Sequence, residues 1–332
     1  MATPNKIIVV VGATGNQGSS VAHEFLKLPN WHVRCLTRNP SSAAAQALVV
    51  LGAEVVQADL SDVSSLTRAF AKANAIFLNT NFWETYRVIA AKDEKSASAT
   101  AFEAELSHGK NAAIAAADIS SLERLVYSAL PPMKTHSKGK YGSGGHWDTK
   151  ASIIEYILKE QPELAKKLSL IYLGGYNTNP LLSPRFNTAT GKYSFISPLA
   201  KEIRMPVIDP QQSTGRFVRA LIEDEEAGTK LLAYDTDSYL PIGEIGDLWS
   251  KASGQEADYV FVPPAIMHQQ FGISMEMLDA PGYISEYGYM GGVDNFIEPS
   301  QLKAPIKTRS LEDWMMGRDW KEVLESLKPS TK

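Results

Sequence analysis

The sequence predicts an α/β fold: a doubly wound parallel sheet with a smaller mixed α/β lobe toward the C-terminus. Three observations carry this. The first is Gly12-Ala13-Thr14-Gly15-Asn16-Gln17-Gly18, set between the apolar run Ile7-Ile8-Val9-Val10-Val11 and a stretch where Val21, Phe25 and Leu28 recur at helical spacing. The second is the alternation of strand-like and helix-like stretches through the first half. The third is that this alternation weakens beyond residue 175, where turn-rich segments take over.

Each glycine of the turn has its own task. Gly12 lets the chain leave the strand tightly. Gly15 has no Cβ to hold a pyrophosphate away, and Gly18 lets the helix pack close to the sheet. Free N–H groups and the positive end of the helix dipole then face the phosphates. Strand, spaced glycines and helix together separate a dinucleotide fingerprint, and with it a Rossmann domain, from a glycine-rich turn that only packs.

The elements follow in order. Residues 32–37 read as the second strand, ended by Arg38-Asn39-Pro40, and an Ala-rich helix covers 42–51. The third strand is 52–57, closed by Ala58-Asp59-Leu60, and a helix over 62–71 takes Ser61 or Asp62 as its cap. Strands follow at 75–79, 125–129 and 168–173. The polar, Ala-rich stretch 86–106 reads as a loop leading into a helix over 102–117, and 131–145 reads as a loop bordering the site. Further on, 179–198 reads as turns and Ile208-Asp209 opens a short unit, with a helix at 213–223 and a returning strand at 230–235. A short strand at 259–262 and a packed Tyr- and Gly-rich loop at 282–292 come next, and an amphipathic helix over 311–327 breaks near Gly317. The chain divides into an NAD(P)-binding Rossmann domain, 1–178, and a smaller substrate or partner lobe, 179–332, with about 205–235 returning to the sheet.

Composition narrows the function. The chain has 332 residues, 44% hydrophobic and 21% charged, which is ordinary for a globular protein. A net charge of -4 argues against a direct nucleic-acid partner. No apolar run reaches membrane-spanning length and no leader pattern precedes the first strand. The expected setting is the cytoplasm, with the nucleus as the alternative and no membrane partner. The one cysteine, Cys35, reads as a buried small hydrophobe in a strand. No zinc-ligand spacing and no Ser-His-Asp order is present, so no metal and no hydrolase are expected.

Arg38 points to the dinucleotide. An acid about twenty residues after the glycines favours NAD. This chain instead has Arg38 near that place, which can clamp a 2′-phosphate, with Ser41 and Ser42 as hydroxyl donors. NADP(H) is therefore favoured, with NAD(H) as the alternative. Asp59-Leu60 is placed for the adenine, the carboxylate accepting from its amino group or else capping a helix. Thr80-Asn81-Phe82 should lie near the ribose and nicotinamide.

At this point the chain resembles the NmrA-like family, an atypical branch of the short-chain dehydrogenase/reductase superfamily. The likeness rests on residues 12–18, Thr37-Arg38-Asn39-Pro40, residues 52–57, Thr80-Asn81-Phe82-Trp83-Glu84, Tyr127-Ser128, His146-Trp147-Asp148-Thr149-Lys150 and Gly174-Gly175-Tyr176-Asn177. The ending over 314–327 is similar too. The resemblance implies NADP or NAD in a cleft between a Rossmann domain and a small lobe. It places the pyrophosphate on residues 12–17, the 2′-phosphate on Arg38, the nicotinamide ribose on Lys150, and the nicotinamide end against Gly174, Gly175, Tyr176 and Asn177. Where redox-sensor relatives carry a second cofactor lysine, this chain has Ser107.

The superfamily's usual engine is Tyr-x-x-x-Lys, whose phenol exchanges a proton with the substrate. Here His146 stands four residues before Lys150, on the same face of a helix, with an imidazole suited to acid–base work. Tyr141 lies nearby as a substitute, and Tyr127 reads as a strand residue facing a helix. Two functions follow. One is an oxidoreductase acting on a small carbonyl, imine or conjugated alkene in a biosynthetic pathway. The other is a non-catalytic NADP(H) redox sensor that regulates a transcription factor or enzyme by protein–protein contact.

Overall fold

The computed structural model describes residues 6–328. Its centre is a sheet of seven parallel strands. In chain order these are β1 (Lys6–Val10), β2 (Trp31–Thr37), β3 (Glu54–Gln57), β4 (Ala75–Leu78), β5 (Arg124–Ala129), β6 (Leu168–Leu173) and the late strand Lys230–Ala233. In space they run β3-β2-β1-β4-β5-β6 and then Lys230–Ala233. This is the doubly wound Rossmann order, with its switch point between β1 and β4. All of β4 and β6 is buried, as strands covered on both faces must be.

Seven helices lead to the site: α1 (Asn16–Phe25), α2 (Ala43–Val50), α3 (Val63–Phe70), α4 (Phe82–Ala90), α5 (Glu94–Ala117), the single turn α6 (Met133–His136) and α7 (Gly145–Glu160). On one face α1 and the helix Thr214–Glu223, through its Phe217, pack over Ile8 and Val10. That crossing is close: a Cβ on Gly215 would lie 2.3 Å from the Ser20 carbonyl oxygen. The opposite face carries α3, α5 and α7 over Val9, Ile76 and Leu125. Burying one such aliphatic side chain fully contributes about 1.5–3 kcal/mol.

Several segments differ from the sequence reading, among them 131–145, where residues 133–136 form the helical turn α6. Residues 86–106 are not a loop. Asn81 caps α4 and Asp93 caps α5, each carboxamide or carboxylate oxygen accepting a backbone N–H 3.1 Å away. The alanines of α5 then serve helix propensity and close packing together. Residues 179–198 contain the hairpin Arg185–Asn187 and Lys192–Ser197, which Ala257–Phe261 extends to a three-stranded sheet. Residues 282–292 read as a packed loop in the sequence, yet the helix Met275–Tyr287 runs through Pro281 and Gly282. Gly282 is a contact there and not a break: a Cβ would stand 2.7 Å from the Tyr141 ring. The late helices Leu311–Met316 and Trp320–Leu327 flank Gly317. No helix of the described residues is long and apolar enough to cross a membrane.

Candidate functional site

The glycine turn leaves β1 beside β4, where Val11 N–H donates to the Phe77 carbonyl. Gly12 sits at φ +75°, a left-handed conformation that a side chain disfavours. Gly18 is locked by its neighbours: a Cβ would lie 2.2 Å from the Gly12 oxygen and 2.8 Å from the Ala13 Cα. Gly15 is different. Its Cβ would touch only the Gly12 oxygen at 3.4 Å, so the fold leaves the space before it open. Gly12, Thr14, Gly15 and Asn16 are exposed there, while Ala13, Gln17 and Gly18 are buried. Gly15 caps α1 without a side-chain bond, and no acidic residue stands in the first turn. The buried Gln17 Oε1, an acceptor, has no partner among the described residues, and the donors at the turn are the first backbone N–H groups of α1, which no side chain caps. Uncommitted donors around an open glycine fit a dinucleotide pyrophosphate.

At the ends of β2 and β3 lies a pocket of about 280 Å³ lined by Arg38, Gln57, Ala58, Asp59, Asp62, Ser65 and Arg68. The Arg38 guanidinium grips Glu84 of α4 at 2.7 and 3.0 Å. Asp59 is not the helix cap; Asp62 is. Asp59 Oδ1 instead accepts the Ser61 N–H and hydroxyl at 2.8 and 2.7 Å, bonds that hold its carboxyl below the usual range. Ser42 caps α2 through its oxygen, leaving its hydrogen free to donate, and Ser41 is exposed beside it. Leu60 packs at the edge of the core, its carbonyl accepting from Asn111.

Lys150 meets the end of β4. Its ammonium donates to the Thr80 carbonyl (3.1 Å) and hydroxyl (3.2 Å), with Asn79 Oδ1 farther off at 3.5 Å. It also pairs with Glu105 Oε1 at 3.2 Å; the lysine side chain is 12% exposed and the glutamate 0%. Thr80 hydroxyl donates to Glu105 at 2.6 Å and lies 3.1 Å from the buried Tyr127 hydroxyl. The helices come this close because Gly109, one turn after Glu105, lets Ile153 of α7 in; a Cβ there would be 2.4 Å from it. Asn81 is exposed at the mouth, whereas Phe82 turns inward and stacks on Tyr86.

His146 opens α7. Its Nδ1 lies 2.5 Å from Glu276 Oε1, and its ring sits 4.7 Å from that of Trp83. Nε2 has no hydrogen-bond partner among the described residues. Tyr141 is not brought to Lys150: its hydroxyl donates to Glu286 at 2.8 Å. Burial and that carboxylate raise the phenol further.

Asp148, two residues on, is pushed up to about 6 by burial, against 3.8 for an ordinary aspartate. The folded state thus holds this proton more tightly than the unfolded chain. Its charging penalty is absent below pH 3.8, grows as pH rises, and is complete above about pH 6. Asp148→Asn keeps an acceptor for the Lys134 N–H and removes the penalty. The variant should match wild type near pH 4 and exceed it near pH 8 by on the order of 2 kcal/mol in urea unfolding.

Gly174 and Gly175 carry the chain from β6 across to Arg204–Ile208, so closely that a Cβ on Gly174 would lie 2.6 Å from the Pro206 oxygen. Tyr176 hydroxyl accepts from Gln17 Nε2 at 2.7 Å, joining this stretch to the glycine turn. Asn177 is buried next to it, its N–H on the Ile208 carbonyl. Two residues escaped the sequence reading, Glu105 and Glu276. Glu105 keeps step with Ala97, Ala101 and Gly109 on the buried face of α5, a visible signal. Glu276 lies 130 positions from its partner and carries no local signal. No His/Cys/Asp/Glu group suited to a metal occurs among the described residues.

A family model described as the NmrA-like family matches residues 4–315. The NmrA-like family domain-containing oxidoreductase ptmS of Penicillium ochrochloron is 38% identical over 162 residues, 47% of this chain and 43% of that protein. The similarly described malD of Malbranchea aurantiaca is 28% identical over 270 residues, 78% of this chain and 76% of that one. The chain thus aligns with less than half of ptmS and about three quarters of malD. Among solved structures, NmrA, a negative transcriptional regulator, superposes in its NAD complex with a TM-score of 0.70 at 20% identity, covering 98% of both chains. Its NADP complex gives 0.69 at 21%, covering 96% of this chain and 100% of that one. The NADPH-dependent quinone oxidoreductase QOR2 of Escherichia coli gives 0.65 at 20%, covering 93% and 98%. At these identities the likeness is one of fold.

Proposed function

The chain belongs to the NmrA-like family, and from that premise we propose that it is an NAD(P)(H)-dependent oxidoreductase reducing a small carbonyl, imine or conjugated alkene in a biosynthetic pathway. The observation that carries this is His146 and Lys150 on one face of α7, at the strand ends that the open glycine turn adjoins. The relatives named oxidoreductases support it.

Residues 12–18 hold the pyrophosphate through backbone N–H groups. Asp59 meets the adenine. Arg38 takes the 2′-phosphate in exchange for Glu84, with Ser41 and Ser42 beside it. Lys150, held by Thr80 and Glu105, would bind the ribose hydroxyls. Gly174, Gly175, Tyr176 and Asn177 back the nicotinamide end. The cofactor, when bound, supplies a hydride to the substrate carbon. His146 gives a proton from Nε2 to the substrate oxygen or nitrogen and regains one from water. Tyr141, committed to Glu286, is left outside this step.

Nicotinamide oxidation by the purified protein, followed on carbonyl, imine and enone panels, tests the reading. Turnover should appear and fall about 100-fold in His146→Ala. Tight nucleotide binding without turnover on any panel would instead favour the redox sensor. Cofactor choice is read separately by calorimetry. Arg38→Asp should weaken NADP(H) more than NAD(H), since a carboxylate repels the 2′-phosphate. Unchanged relative affinities would remove that role from Arg38.

A further inference from the structure

We infer that Glu276 is a positioning residue for His146, supplied by the C-terminal part of the chain, and that it fixes which imidazole nitrogen meets the substrate. The inference rests on the oxidoreductase reading only for what the free nitrogen does. Glu276 is all but sealed, with its side chain 2% exposed; it accepts three hydrogen bonds and shares a fourth with the His146 ring. Oε2 takes the Gly145 N–H at 3.0 Å and the Ser98 hydroxyl at 2.5 Å. Oε1 takes the His146 N–H at 2.9 Å and faces its Nδ1 at 2.5 Å.

An ionised carboxylate only accepts, so Nδ1 must carry a hydrogen. That leaves Nε2 as the nitrogen that gains and loses the working proton. The charged and titratable neighbours of the ring are few. The helix Met275–Tyr287 brings Glu276, and α7 itself brings Asp148 and Lys150. α5 brings the neutral Ser98, and α4 brings the apolar Phe82 and Trp83. Glu276 also does for α7 what Gly144, its cap residue, cannot: it binds the first free N–H groups. Ser274 with Tyr86 (2.9 Å) ties the start of the helix Met275–Tyr287 to α4, and Asp279 accepting the Ser143 N–H (2.7 Å) ties that helix to the turn before α7. One glutamate therefore sets the helix start and the ring upon it.

The test uses the full chain with ¹⁵N-labelled histidine. Wild type should show a strongly downfield Nδ1–H proton, assigned by its loss in His146→Ala. Glu276→Gln and Glu276→Asp should both lose it; the aspartate keeps the charge but draws it back by one methylene, so the fold survives. In turnover each variant should lower kcat about tenfold with nucleotide KM unchanged, and add nothing to His146→Ala. A wild-type ring protonated on Nε2 instead, or an unchanged kcat in folded Glu276→Asp, would overturn the assignment. Absence of turnover on every substrate defeats the oxidoreductase reading alone, and the resonance then decides this one.

Discussion

Lys150→Met should destabilise the protein by about 3–5 kcal/mol, because it strands a buried charge. Glu105 is fully enclosed, and its Oε2 already lacks a partner among the described residues. Removing the ammonium 3.2 Å from Oε1 leaves only the Thr80 hydroxyl to compensate it. The double variant Glu105→Gln with Lys150→Met should recover most of the loss, since two neutral groups of similar size carry no such penalty. Urea unfolding of both variants checks this. A single variant as stable as wild type would mean that the pair is not a unit. The result matters for activity too: a dead Lys150→Met enzyme says nothing of the ribose unless the double variant is tested beside it.

Gly18→Val and Gly15→Ala should fail in opposite ways. At Gly18 any Cβ lands 2.2 Å from one backbone atom and 2.6 Å from another, and neither can step aside. The turn must open, at a cost of about 3 kcal/mol, and nucleotide binding goes with it. At Gly15 the backbone is an ordinary φ −95°, and the new methyl meets protein only at 3.4 Å. Stability should stay within about 0.5 kcal/mol of wild type. Nucleotide affinity should fall at least about tenfold, as the methyl stands where phosphate oxygens approach the amides. Thermal unfolding and calorimetry separate the two. Undiminished binding in Gly15→Ala would take the pyrophosphate off the turn.

The sheet was legible because strand burial on both faces writes itself as runs such as 7–11, and because the glycine turn fixes where β1 ends. Arg38 and Asp59 were assigned by the same logic of strand ends, and Lys150 by the family resemblance. What escaped notice did so for physical reasons. Alanines and polar residues over 94–101 look solvent-loving until a helix buries one face of them at close range. Gly282 has the spelling of a break and the function of a contact. The carboxylates that hold His146 and Tyr141 come from residues 276 and 286, and only tertiary folding brings them near.

The late strand has a consequence for how the chain comes to exist. Lys230–Ala233 pairs along the outer edge of β6, and its Leu231 and Leu232 are buried. During synthesis some sixty residues separate β6 from the strand that covers it, counting from Leu173 to Lys230. Until those residues emerge, the edge of β6 stands with open amides and carbonyls, an invitation to pair with other chains. A fragment cut at residue 178 would keep the whole glycine turn and still leave that edge bare. We expect such a fragment to aggregate, and a fragment reaching past Ile297, which bonds the outer side of Lys230–Ala233, to do so far less. Light scattering on the two would show it.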